Sequence, residues 1–285
     1  MTNLERYLNA SIESSKSITK EFSTSFSLGI QCLGKEIREP IYSIYGFVRI
    51  ADEIVDTFFD TNQKVLLDEF ESSTFSAIKQ KFSTNVVLHS FQYAVNKYNI
   101  EHHLIEAFFE SMRSDLSKKE HSQKSLDSYV YGSAEVVGLM CLRVFVGGSQ
   151  GSYDKLIHSA KKLGSAFQKV NFFRDLNEDY FDKGRMYFPG LDLEKNLDEN
   201  IKQKIELEIK GEFDEAKEGI YQLPNSSRFG VLLAYRYYKK LFIRLKNVSS
   251  EKLMTKRIRV NNFQKFLLIP STYLISFFNN FSKKL

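Results

Sequence analysis

Asn171, Asp175 and Asp179 stand four residues apart in the stretch NFFRDLNEDY (171–180). On a helix such residues are neighbours, and a like-charged pair there costs about 0.2–0.5 kcal/mol. The cost disappears if an arginine, solvent or a metal ion offsets the charge. Followed backwards on the same helical face, the row continues through Gln168 to Gly164, whose lack of a side chain makes room. A second row, Tyr45, Arg49, Asp52 and Asp56, has the same spacing and is flanked by aliphatic residues. One such pair is an ordinary feature of a solvated helix face. Two pairs, each with a hydrogen-bonding residue one turn earlier (Arg49, Asn171), point to a cation. Carboxylates and carboxamides are hard oxygen donors of the kind Mg²⁺ takes, typically one or two carboxylates together with substrate phosphates. If the two helices face each other, four aspartates surround a space that only cations neutralise. A diphosphate bridged by Mg²⁺ fits it, and Arg49 and Arg174 would add forked contacts to phosphate oxygens.

The elements that must position these rows are helical. The segment 40–59 opens with Pro40, a good first helical residue, and carries Ile44, Val48, Ala51 and Val55 on one stripe. The segment 154–181 has Leu156, Ala160, Leu163, Phe167 and Val170 at helical spacing. Residues 101–116, 126–146 and 227–247 read as further helices, and 198–223 as a more charged one at the periphery. No alternating strand pattern and no Pro/Gly linker appears, which predicts one all-α domain over 1–285. The last stretch, FLLIPSTYLISFFNNFSKKL (266–285), is aromatic and apolar, and Pro270 interrupts it. It is too broken to span a bilayer, which takes roughly 20 consecutive apolar residues. It reads as a last core helix or as a segment lying on a membrane surface.

Composition agrees. Apolar residues at 42% and charged residues at 26% are those of a globular chain. With 25 Phe and 15 Tyr the interior is rich in rings, and 4 Pro and 14 Gly are few for a sheet protein. A net charge of +5 suits anionic substrates or an anionic surface and is too weak to argue for nucleic acid. Cys32 and Cys141 lack metal spacing and read as buried thiols in a reducing compartment. The N-terminus has no apolar signal region, so cytoplasmic residence is expected, with peripheral contact at the inner face of the membrane as an option. His102 and His103 have no partner at ligand spacing and are placed at the surface. Glu178 and Asp182 lie off the main row and are expected in solvent. Asp115 is left between surface and cavity.

YGFVRIADEIVD (45–56) and QKVNFFRDLNEDYFDKGRMYFP (168–189) resemble the two aspartate-rich signatures of the squalene/phytoene synthase family. STSFSLG (23–29) is similar to that family's Ser-x-Ser-Phe element, and YGSAEVVGLM (131–140) to its Tyr-Gly-x-Ala helix. AYRYYKKL (234–241) and KRIRVNNFQKF (256–266) are similar to its C-terminal segments, so the match runs in order from about 15 to 266. Within the family, the wording is nearest to bacterial phytoene synthases of carotenoid pathways.

The resemblance implies a class I terpenoid-synthase bundle of helices around a central cavity. It also implies Mg²⁺-dependent head-to-head joining of two geranylgeranyl diphosphates, with Mn²⁺ as a substitute and no NADPH. Carried over, Asp52 and Asp56 would hold Mg²⁺ on one diphosphate, and Asn171, Asp175 and Asp179 on the other. Ser25, Phe26, Arg49, Gln168 and Arg174 match substrate contacts. Tyr45, Tyr131, Tyr187 and Tyr238 match ring positions around the reacting carbons, with Tyr131 in the catalytic set. Two positions depart from the pattern: Thr24 stands where many relatives carry a basic residue, and the first motif reads D-E-I-V-D rather than D-D-x-x-D. The competing readings are squalene or dehydrosqualene synthesis from farnesyl diphosphate, and a helper protein that has lost the chemistry. All four aspartates and Asn171 are kept, which speaks against the helper. Small residues at Gly132, Ser133, Ala134, Gly138 and Gly164 are expected to leave room for a deep cavity.

Overall fold

The computed structural model describes residues 1–118, 120–190, 198–253 and 257–282; for 262–263 and 276–282 it describes the backbone only. The described residues form helices α1 (Asn3–Phe22), α2 (Thr24–Gln31), α3 (Lys35–Asp56), α4 (Gln63–Gln80), α5 (Val86–Tyr98), α6 (His102–Asp115) and α7 (Gln123–Val130). A π-helical turn (Tyr131–Glu135) joins α7 to α8 (Val136–Phe145). There follow α9 (Gln150–Phe181), α10 (Glu199–Gln222), α11 (Asn225–Lys246), the short α12 (Ser250–Leu253) and α13 (Asn262–Ser282). Among the described residues there is no strand, only an isolated bridge between Glu120 and Met186. The all-α expectation holds.

The two acid rows owe their aim to what lies behind them. On α3, Phe47 is fully buried and stacks on Phe91 with ring centroids 3.8 Å apart, and it meets Phe70, Phe108 and Phe109 at 5.5–5.7 Å. Such ring pairs contribute about 0.5–1.5 kcal/mol each beyond their buried area. They seat one face of α3 against α4, α5 and α6, and the row from Tyr45 to Asp56 takes another face. On α9, Ala166, Val170 and Phe173 are buried. Lys169 Nζ reaches Glu208 Oε1 at 2.5 Å and Glu212 Oε1 at 2.6 Å on α10, and Ser165 Oγ donates to the same Glu212 oxygen at 2.7 Å. Helix α10, expected at the periphery, therefore buries Ile205, Ile209, Phe213 and Ala216 and braces the acid-row helix α9 from behind.

Two expectations are corrected. Helix α3 begins at Lys35, so Pro40 lies inside it. The donor that Pro40 withdraws would have met the carbonyl of Glu36, an exposed residue of the first turn. Gly132 does not open the cavity: a Cβ there would strike the carbonyl of Ala107 on α6. A Cβ on Gly164 would come within 2.7 Å of the Ala134 carbonyl. Both glycines serve the close approach of helices, but Gly164 also lines the cavity, as expected, together with Ser133, Ala134 and Gly138. Glycine-to-backbone contacts are tertiary facts that local spacing does not carry.

Candidate active site

A cavity of about 1340 Å³ runs between α2, α3, α6 and the helices from α7 to α11. Its deep end is apolar, walled by residues such as Leu33, Phe108, Val137, Leu163 and Leu241. Its other end holds the two acid rows, and one side chain shows that they face each other. Lys183, just past α9, places Nζ 2.8 Å from Asp56 Oδ2 of the first row and 3.6 Å from Asp179 Oδ1 of the second.

Basic groups occupy the other acids too. Arg49 Nη1 lies 2.7 Å from Asp52 Oδ2, and Arg49 also pairs with the buried Glu53. Arg174 Nε donates to Asp175 Oδ1 at 2.8 Å. Arg257 contacts Asp175 Oδ1 and Glu178 Oε2, each at 2.9 Å. Arg185 Nη1 sits 2.6 Å from Asp56 Oδ1. Arginine and lysine thus hold both rows together. Glu178, expected in solvent, lines the cavity. Asp182 is exposed, as are His102 and His103.

The balance of charge still falls short. Burial, with Asp56 adding its charge, pushes Asp52 up to about 6. Burial pushes Asp179 up to about 7 against the pull of Lys183. Asp56 goes the other way: burial would raise it, but Lys183 and Arg185 hold it below the usual carboxylate value. Among the described residues no three His, Cys, Asp or Glu groups converge into a ready cage for a metal. The donors are nevertheless hard oxygens, two of them short of positive charge. That suits a hydrated divalent cation arriving with a phosphate and taking one or two carboxylates from each row.

Of the residues assigned to substrate from the sequence, Ser25, Phe26, Tyr45, Arg49, Gln168, Asn171, Arg174, Tyr187 and Tyr238 all line the cavity. Tyr238 stacks on Phe167 with centroids 3.9 Å apart, and its hydroxyl donates to Asn171 Oδ1 at 3.4 Å. Phe26 lies 5.4 Å from Tyr45 and 6.1 Å from Tyr238. Gln168 Nε2 donates to Ser133 Oγ at 3.3 Å. At Thr24 a basic group stands nearby after all: Lys265 Nζ, from α13, donates to its hydroxyl at 3.2 Å. Cys141, read as a buried core thiol, is half-buried in the cavity wall, where burial raises its thiol to about 12. Cys32 is also free and half-buried.

Tyr131 is the exception. Tyr129, Ser133, Val137 and Cys141 recur every fourth residue along the wall, which leaves position 131 half a turn away. Its ring lies under Lys161 Nζ at 5.0 Å instead. The tyrosine of this segment in the cavity is Tyr129, and that four-residue spacing was the available signal. Its hydroxyl donates to Asp115 Oδ2 at 2.7 Å, and the Tyr187 hydroxyl donates to Oδ1 at 3.3 Å. Arg185 Nη2 donates to the carbonyls of Asp115 and Val55 at 3.2 and 3.3 Å. Asp115 is therefore a cavity residue in a layer behind the acid rows. Lys183, Arg185 and Arg257 were not assigned from sequence; the signal for the first two was two cations in the loop KGR directly after the second acid row.

Burial lifts Asp115 to about 7, against Arg185 and the Tyr129 hydroxyl, which pull it down. A carboxyl raised in the folded state binds more protons than in the unfolded chain, so its contribution is most favourable at low pH and is lost as pH rises through about 7. Asp115→Asn removes that titration. Its melting temperature relative to the parent is expected to rise from pH 5 to pH 8, and a difference independent of pH would refute the assignment.

The family model described as "Squalene/phytoene synthase" matches residues 19–264. Phytoene synthase 2, chloroplastic, of Oryza sativa subsp. japonica is 29% identical over 282 aligned residues, covering 90% of this chain and 68% of its own length. Phytoene synthase 1, chloroplastic, of Solanum lycopersicum is 26% identical, over 90% of this chain and 66% of its length. The chain thus spans about two thirds of these plant relatives. A crystal structure of a dehydrosqualene synthase in complex with ligand superposes with a TM-score of 0.82 at 23% identity, over 96% of this chain and all of that one. The squalene synthase HpnC from Alicyclobacillus acidocaldarius gives 0.75 at 19% identity, over 86% and 95%. At those identities the likeness is one of fold, that of a helical terpenoid synthase. With the matched model running through both acid rows and most of the bundle that faces them, the chain belongs to the squalene/phytoene synthase family.

Proposed function

We propose that this protein is a phytoene synthase, joining two geranylgeranyl diphosphates head to head and releasing diphosphate. The observation that carries the reading is one apolar cavity closed at one end by two facing acid rows, each with its own arginines. Two rows provide for two diphosphates. A volume of about 1340 Å³ exceeds the ~300–1,000 Å³ of pockets for a single drug-sized ligand. The plant relatives named phytoene synthases support the same product.

In this reading Asp52 and Asp56 hold Mg²⁺ on one diphosphate, and Asn171, Asp175 and Asp179 on the other, with Mn²⁺ able to substitute. When bound, the cation supplies Lewis-acid stabilisation of the departing diphosphate. Arg49, Arg174, Lys183 and Arg257 turn from carboxylate to phosphate oxygens and share that charge. Loss of diphosphate leaves an allylic carbocation. The faces of Phe26, Tyr45, Phe167 and Tyr238 shield it from water and attract it, by about 2 kcal/mol per ring when desolvated. The double bond of the second substrate then attacks, and proton loss gives a cyclopropyl diphosphate. A second ionisation, rearrangement and loss of a proton give a linear C40 triene, and no hydride donor enters the balance.

The test supplies the protein and Mg²⁺ with the C20 and the C15 diphosphate in turn, with and without NADPH. A C40 triene unaffected by NADPH, with little turnover of the C15 substrate, is expected, and EDTA should stop it. A C30 product, reduced or not, would move the assignment to squalene or dehydrosqualene synthesis. Unimpaired turnover in chelator would overturn the role given to the acid rows.

A further inference from the structure

Helix α13 turns an apolar stripe outward. Its inner side is mixed: Leu268 and Thr272 are buried, and Arg236 of α11 donates to Ser271 Oγ at 3.0 Å and to Thr272 Oγ1 at 2.7 Å. Its outer side is apolar. Phe266, Leu267, Pro270, Tyr273 and Leu274 follow helical spacing on one stripe, with Phe266 63%, Tyr273 61% and Leu274 56% exposed. On the row of α11 that carries Arg236 and Arg244, both bonded to α13, stand Lys240 and the exposed Ile243.

The charge of the chain is divided in the same place. Residues 225–285 contain 13 Lys and Arg and one acid, Glu251, whereas residues 1–224 contain 27 bases and 34 acids. We propose that the apolar stripe of α13, with the basic row of α11 beside it, docks the protein on an anionic lipid surface. Apolar area together with basic flanks is what holds an interfacial helix to a bilayer. No described helix is long and apolar enough to cross one. A second copy of the chain fits the stripe less well, because pairing through it would bring two strongly basic segments together. The stripe also begins one residue after Lys265, a cavity-lining residue. A lipid surface under α13 would therefore lie beside a residue of the cavity wall.

Docking is read without turnover, so it stands or falls apart from the proposed reaction. Full-length protein is floated with vesicles of phosphatidylcholine, alone or mixed equally with phosphatidylglycerol. The parent is expected to float with the mixed vesicles and to be released by salt. Leu267→Glu/Leu274→Glu should lower the bound fraction roughly 10-fold, and Lys240→Gln should lower it less. Leu267 and Leu274 are exposed and Lys240 is half-buried, and the circular dichroism and unfolding midpoints of both variants should match the parent. Equal flotation of parent and double variant would overturn the proposal. So would a dimer, seen by light scattering in the parent and lost in the double variant.

Discussion

Asp52→Ala and Asp175→Ala are each expected to lower turnover by at least ~10³-fold, about 4 kcal/mol of transition-state stabilisation, while the helical fold survives. The two acids come from different rows, and each ends its row's contact with a basic group: Asp52 with Arg49, Asp175 with Arg174 and Arg257. In the proposed reaction, losing either carboxylate would remove an oxygen donor from the place where a diphosphate departs. The folded protein is not expected to suffer. Burial and Asp56 push Asp52 up to about 6, and solvent eases that cost because the side chain is 37% exposed. Asp52→Asn should therefore raise the melting temperature near pH 8 only slightly, even as it slows the reaction. Steady-state assay with prenyl diphosphate and Mg²⁺, beside thermal unfolding, reads both. Turnover within tenfold of the parent would remove the acid rows from the mechanism.

The largest effect on stability is expected at Arg185. Its side chain is buried at 9% exposure and serves Asp56 at 2.6 Å, Asp115 at 3.8 Å and two backbone carbonyls. Arg185→Met leaves buried carboxylates without their counter-charge, which costs about 3–5 kcal/mol for a buried pair. Lys183→Met should cost less, since that side chain is 23% exposed and solvent shares its burden. Adding Asp115→Asn to Arg185→Met should recover part of the loss, because contacting residues do not add independently. Urea unfolding midpoints measure all three. An unchanged midpoint for Arg185→Met would show that the network holds nothing together.

Both acid rows were legible in the sequence because they are local: a spacing of four on one helix needs no partner to be noticed. The helical class was legible for the same reason. The tertiary content was not. In the segment 126–146 the four-residue row Tyr129, Ser133, Val137 and Cys141 was the one signal for Tyr129 over Tyr131, and only α9 and the π turn show that this row faces inward. Asp115 looks like any acid near a helix end until Tyr129 and Tyr187 are seen on its two oxygens. Arg257 lies 82 residues from the aspartate it holds, a separation that no periodicity spans. Helix α10 looked peripheral because its exposed charges outnumber its buried apolar face. The braces that matter, Lys169 with Glu208 and Glu212, are polar themselves.

Lys183 belongs to neither row and touches both. A single ammonium shared between Asp56 and Asp179 makes the two halves of the site one object. If a cation takes over either acid, the ammonium is released toward the other half, where it is free to meet an incoming phosphate. Filling one half thereby prepares its neighbour, and by thermodynamic reciprocity the neighbour prepares the first. The proposed reaction, which must hold two identical molecules before either ionises, would gain from that arrangement: a lone substrate would be held less firmly than a pair, and a carbocation less often made with nothing beside it to attack.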